Sequence, residues 1–224
     1  MVAQPAAALY LVSEEIENLT KVASKLFPLL TEEVRGNAVL QSVSGPRGKK
    51  MVNAFDSAYE NAKSIQTGLI NYISEMFSSG SLSQEQSEEA AGYLAVVNDV
   101  DRVSERCREI AASARTVIAG GQSFSRDAVD EIKGCIDVCS DMFAQAFGLM
   151  YKGSTVDPAA IMKSKRKMRK AVKQFGKAHL ARVKAGKCAE SMTGVYAGIL
   201  YNLDRISDNC VSVAEEALND VNFA

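Results

Sequence analysis

Tryptophan is absent from this chain, histidine occurs once, and only four prolines are spread over 224 residues. The single histidine, His179, cannot supply the two Glu-x-x-His pairs that a di-metal carboxylate bundle takes from facing helices. So few prolines leave long stretches free to remain helical. No apolar run approaches the ~20 residues of a bilayer-spanning helix; the longest charge-free stretches, such as Ser191 to Leu203, are shorter and carry Ser, Thr, Gly and Asn. A surplus of one charge is also missing, with Lys+Arg 26 against Asp+Glu 27. No global field therefore recruits nucleic acid or an anionic membrane, and any such attraction must be local. The opening Met1 is followed by Val-Ala-Gln-Pro rather than by a basic region and a long apolar one, so no signal peptide is expected. The five cysteines, Cys107, Cys135, Cys139, Cys188 and Cys210, form no C-x-x-C pair and lie mostly in apolar helical patterns. They read as buried, reduced thiols.

What is present is a hydrophobic fraction of 47%, enough for a substantial core, arranged at helical spacing in six stretches. The first runs from about Ala6 to Arg35, and the second from after Ser44-Gly45-Pro46 to Phe77. Ser83 followed by Gln86 forms a capping box opening a third stretch that lasts to Gly120-Gly121. A fourth is capped near Ser125 and ends before Gly153; Asp157-Pro158 opens a fifth that stops around Gly186; the last runs from about Cys188 to Asn219. Helices of ~30 residues are ~45 Å long, which suits an elongated up-down bundle. Val100, Val103, Cys107, Ile110 and Ala114 in the third, and Ile199, Leu203, Ile206, Cys210, Val213 and Ala217 in the sixth, step by three and four as inward seams do.

Laying the third stretch over the sixth exposes an internal repeat. Asp101-Arg102-Val103-Ser104-Glu105-Arg106-Cys107 matches Asp204-Arg205-Ile206-Ser207-Asp208-Asn209-Cys210, and only Arg106/Asn209 breaks the chemical correspondence. The chain therefore reads as two copies of a three-helix unit, residues 1–120 and 121–224, with the break near Ala119 to Phe124.

Asn98 to Glu105 and Asn202 to Asp208 resemble the PhoU signature, in which an acidic residue, Arg, an aliphatic residue, a small residue and an acid follow one another. Ala178-His179-Leu180-Ala181-Arg182 and the opening Pro5, Ala8-Leu9 and Glu15-Ile16 are similar to the PhoU-type cytosolic tail of bacterial sodium/phosphate cotransporters. The resemblance spans almost the whole chain. It implies an all-α, PhoU-like six-helix bundle of two tandem repeats, and a regulatory role in phosphate transport in the cytoplasm or at the inner face of the cell membrane. It also implies a transporter membrane domain or phosphate-sensing partner; separately, the exposed flanks of long bundles make a homodimer a further expectation. Departures are Ser104 and Ser207 where the family usually has Gly, and Arg106 and Asn209 where it often has His.

Helical residues four apart lie on one face about 6 Å apart, so Asp101/Glu105 and Asp204/Asp208 each set two carboxylates side by side. Such pairs destabilise a helix unless a cation intervenes. An oxygen-only donor set suits Fe, Mn, Mg or Zn held through carboxylates, and the PhoU resemblance carries metal binding onto the same four positions. The plainer alternative is hydrated or salt-bridged acids. The first unit is the expected metal site, with Asp56 and Glu60 as contributors from its middle helix. In the second unit the middle helix carries Lys163, Lys165, Arg166, Lys167, Arg169, Lys170 and Lys173. Cations from this run that approach Asp204 and Asp208 would take the place of a metal. The same run is a candidate anion-binding or membrane-facing surface, against the plainer reading of a solvated helical face, and without interleaved aromatics it does not read as a nucleic-acid site.

Neither a nucleophile elbow nor a phosphate-cradling glycine loop is present, so no enzyme is expected. Three readings follow: a regulatory domain forming the tail of a sodium/phosphate cotransporter, a stand-alone PhoU-type regulator of a separate transporter or sensor kinase, and a carboxylate–metal hydrolase.

Overall fold

Each helix begins where the sequence can satisfy its orphan N–H groups. In the computed structural model, which describes the backbone of residues 4–39 and 46–224 and the side chains of 4–36 and 54–224, seven helices and no strand are found among the described residues. They are α1 Pro5–Ser24, α2 Leu26–Val39, α3 Pro46–Ser78, α4 Gln84–Ala119, α5 Arg126–Leu149, α6 Pro158–Lys184 and α7 Met192–Leu218. Ser83 accepts from the Gln86 N–H while the Gln86 side chain accepts from the Ser83 N–H, completing the capping box of α4. Ser125 caps α5 through the Ala128 N–H, and Asp157 caps α6 through the Ala159 N–H with Pro158 in the first turn.

Three boundaries differ from expectation, the first being that α2 runs on through Gly36 and Asn37 to Val39. The first stretch is divided at Lys25 into α1 and α2, because Pro28 lacks the N–H that would bond the Ser24 carbonyl and its ring crowds that carbonyl. The last helix opens at Met192, four residues after Cys188. The turn expected at Ser44-Gly45 lies outside the described residues.

Helices α1 and α2 pack on α3 and α4, while α5, α6 and α7 pack on one another. The two groups are joined chiefly along α4 and α7, and by α2 against α5, where Phe27 meets Phe143 edge-on at 5.5 Å between centroids. The seams read from the sequence are buried: Val100, Val103, Cys107, Ile110 and Ala114 on α4 face Ile199, Leu203, Ile206, Cys210, Val213 and Ala217 on α7 within one continuous core. Each fully buried aliphatic or aromatic side chain there contributes about 1.5–3 kcal/mol relative to exposure.

Beyond α7 the chain turns at Asp220, whose φ of 66° is left-handed, and lies back over the bundle. Val221 and Phe223 are buried, the Phe223 N–H donates to the Met150 carbonyl at 2.8 Å, and the Tyr93 hydroxyl donates to the Asn222 carbonyl at 2.7 Å. Gly92 makes this possible: a Cβ there would stand 2.4 Å from a Val221 methyl.

Candidate functional site

The acid pairs of the repeated motif lie at corresponding places on α4 and α7, and in each half a lysine from the preceding helix stands between them. On α4, Asp101 accepts from Lys63 Nζ at 2.7 Å, and Glu105 lies 3.4 Å from the same ammonium. Glu105 also accepts from the Tyr59 hydroxyl and from Arg108 through two N–H groups at 3.0 and 2.7 Å. On α7, Lys165 Nζ approaches Asp204 Oδ1 at 2.8 Å and Asp208 Oδ1 at 2.5 Å, and it contacts the Asp204 carbonyl and Ser207 Oγ at 3.0 Å each. Arg205, one turn from Asp208, reaches its other oxygen at 3.0 Å.

The electrostatics follow from these contacts. The hydrogen bond to Asp101 is the main reason the Lys63 ammonium holds its proton more tightly than usual. Burial works to raise the Glu105 pKa, but hydrogen bonds from Tyr59, Arg108 and Lys63 outweigh it and leave the carboxyl below its ordinary value. Tyr59, desolvated and bonded to that carboxylate, is pushed up to about 12.

This donor set does not fit a metal as arranged. An ammonium presents hydrogens to the carboxylate lone pairs that would coordinate a cation, so a metal could enter only by expelling a lysine. A lysine stands at the acid pair of the first unit just as at that of the second. Asp56 accepts from Arg115 at 2.9 Å, beside Glu33, and Glu60 is exposed, so neither joins Asp101 and Glu105. Among the described residues no group of three or more His, Cys, Asp or Glu side chains is assembled to hold an ion.

The two motifs also grip each other. Arg106 on α4 donates to the Asn202 side chain on α7 at 3.0 Å, and Asn209 on α7 donates to Asp99 on α4 at 2.8 Å. Asp99 and Asn202 occupy corresponding places in the two motifs, as do Arg106 and Asn209, so two positions at which the halves differ reach across to each other in both directions.

Of the basic run on α6, only Lys165 turns inward; Lys163, Arg166, Lys167, Arg169, Lys170 and Lys173 are exposed. Farther along α6, Arg182 forms a two-bonded pair with Glu131 of α5 at 2.9 and 2.7 Å, and the Tyr196 hydroxyl of α7 donates to the same carboxylate. His179 stacks on Tyr196 with centroids 4.6 Å apart, and its Nε2 lies 3.3 Å from Thr193 Oγ1. Burial and the Arg182 charge lower its pKa. A cleft of about 380 Å³, lined by His179, Lys187 and Cys188, opens beside it, and among the described residues no acid pairs with the His179 Nδ1 to orient the imidazole. The Glu131–Arg182–Tyr196 group escaped the sequence reading because its members are 51 and 65 residues apart; no spacing rule connects them.

Among solved structures, the chain is similar to the crystal structure of PhoU from Pseudomonas aeruginosa, with a TM-score of 0.69 and 11% identity over 95% of this chain and 96% of that one. The protein thus has the PhoU fold, an all-helical bundle. No family model matches the sequence, and no curated protein does. Among the described residues no helix is long and apolar enough to cross a membrane.

Proposed function

We propose that the protein is a regulatory adaptor in the control of phosphate transport, serving as the cytosolic PhoU-type domain of a sodium/phosphate cotransporter. The observation that carries this reading is the PhoU fold over 95% of the chain, with the two acidic motifs at corresponding places on the joined helices α4 and α7. The reciprocal Arg106–Asn202 and Asn209–Asp99 bonds support descent of residues 1–120 and 121–224 from one duplicated unit. In this reading the lysine-bridged acids are the adaptable element. Lys63 and Lys165 replace a carboxylate-bound metal and tie α3 to α4 and α6 to α7, so partner binding that loosens either pair would change helix packing.

The same fold admits a second reading, a stand-alone regulator of a separate transporter or sensor kinase, as its likeness to PhoU from Pseudomonas aeruginosa suggests. A carboxylate–metal hydrolase is disfavoured because both acid pairs are committed to ammonium groups.

Labelled phosphate uptake in the source organism, with the coding segment deleted and then restored, tests the role. Uptake should cease to fall as external phosphate rises and should recover on restoration. Superimposable uptake curves at every phosphate level would overturn the proposal. Restoration by the segment expressed as a separate chain would select the stand-alone reading.

A further inference from the structure

Charge on this molecule is segregated in a way that the near-zero total conceals. Helix α6 carries ten of the 26 cations, Lys163, Lys165, Arg166, Lys167, Arg169, Lys170, Lys173, Lys177, Arg182 and Lys184, and no carboxylate. The remaining chain holds 16 cations against all 27 acids. Lys165 and Arg182 are consumed inside the bundle by Asp204, Asp208 and Glu131. The other eight are exposed and have no ion-pair partner among the described residues.

Their placement is linear. At about 100° per residue, Lys163, Arg166, Lys167, Lys170, Lys173, Lys177 and Lys184 fall within an arc of about 120°. Ile161, Met168 and His179, all buried, lie on the opposite side. Lys163 to Lys184 spans about 30 Å along the helix axis. Beside this row, on one flank, stand Met162 and Leu180, exposed by 44% and 49%.

We propose that this face of α6 docks on the anionic headgroups of a lipid bilayer. A plane of fixed negative charge complements a straight row of cations, and the flanking Met162 and Leu180 can enter the interface between headgroups and acyl chains. The acidic remainder of the chain is repelled by the same plane and orients the bundle with α6 downward. Nucleic acid is a poorer occupant, because the row carries no aromatic side chain for stacking. This inference is independent of the phosphate role, since it rests on charge placement alone.

The test is flotation of the full chain with vesicles of phosphatidylcholine alone or doped with phosphatidylglycerol, at low and high salt. A triple variant on the row, Arg166→Glu, Lys170→Glu and Lys173→Glu, is compared with one of equal net charge on the other half, Lys21→Glu, Lys25→Glu and Arg35→Glu. Helical circular dichroism confirms that both fold. Each cation near such a surface is worth roughly five-fold in partitioning, so the row variant should lose roughly a hundred-fold or more, and the control far less. Binding of wild type should require phosphatidylglycerol and weaken with salt. Equal loss in both variants, no binding to doped vesicles, or tighter retention by duplex DNA than by doped vesicles at the same salt would each overturn the proposal.

Discussion

The two halves meet the same electrostatic problem, adjacent carboxylates on a helix, with lysines in very different surroundings. In the first half the Lys63 side chain is 37% exposed, and Tyr59 and Arg108 share the work of holding Glu105. In the second the Lys165 side chain is 7% exposed and reaches two carboxylates, a carbonyl and the Ser207 hydroxyl. The first link is more exposed, and Glu105 keeps Tyr59 and Arg108 when Lys63 is lost. The second is concentrated in one ammonium, and its loss leaves Asp204 and the Ser207 hydroxyl without that donor and Asp208 with Arg205 alone. The serines show the same contrast, since Ser207 is bonded to Lys165 whereas the corresponding Ser104 Oγ is buried without a partner among the described residues.

Replacing each lysine breaks this comparison most directly. Lys165→Met should destabilise the protein by about 3 kcal/mol, the scale for stripping one partner from a buried ion pair, as read by urea unfolding. Lys63→Met should cost about 1 kcal/mol or less, and added salt should reduce its effect further. Equal losses would mean that the difference in burial has no energetic meaning.

A smaller effect separates the halves by pH. The folded Glu105 carboxyl is held below its ordinary value of 4.5, so it lends stability that is present above that pH and is lost as pH falls through the folded value. Removing the Tyr59 hydroxyl donor with Tyr59→Phe should flatten this acid limb of the stability curve while changing stability at pH 7 by about 1 kcal/mol. An unchanged acid limb would remove Tyr59 from the network.

The thiols give the mildest contrast. Burial raises the Cys107 and Cys135 pKa to about 12 and also pushes Cys139 and Cys210 upward. Cys188, in the connection between α6 and α7, is the only one of the five that is partly exposed. Native protein should therefore take up one equivalent of a thiol reagent quickly, and Cys188→Ser should abolish that phase. Rapid modification of a second thiol would show that the core opens more readily than its packing implies.

Helix ends and seams were legible because they depend on neighbours in sequence: Ser83 with Gln86, Asp157 with Pro158, and the three-and-four steps on α4 and α7. The repeat shows in the sequence as the match of Asp101 to Cys107 with Asp204 to Cys210. The lysine bridges were legible unequally. Lys165 falls within the inward series Ile161, Lys165, Met168, Val172, Phe175 and His179, so its spacing marks a cation aimed at the core. Lys63 lies one residue beside the corresponding series of Tyr59, Ala62, Gln66 and Leu69, at the edge of the seam, where periodicity does not distinguish a solvated lysine from a bridging one. Its partner is 38 residues away, and only packing brings them together. The interruption at Lys25 was present in the sequence as Pro28, but the unbroken apolar pattern around it masked the signal.

The central claim is that ammonium groups, and not a metal, balance both acid pairs. Calorimetric titration of the purified chain with Mn²⁺, Fe²⁺ and Zn²⁺ tests this, alongside an Asp101→Asn and Asp204→Asn double variant. The account predicts no stoichiometric binding in the wild type that the double variant lacks. One or two equivalents bound by the wild type and lost in the variant would contradict it.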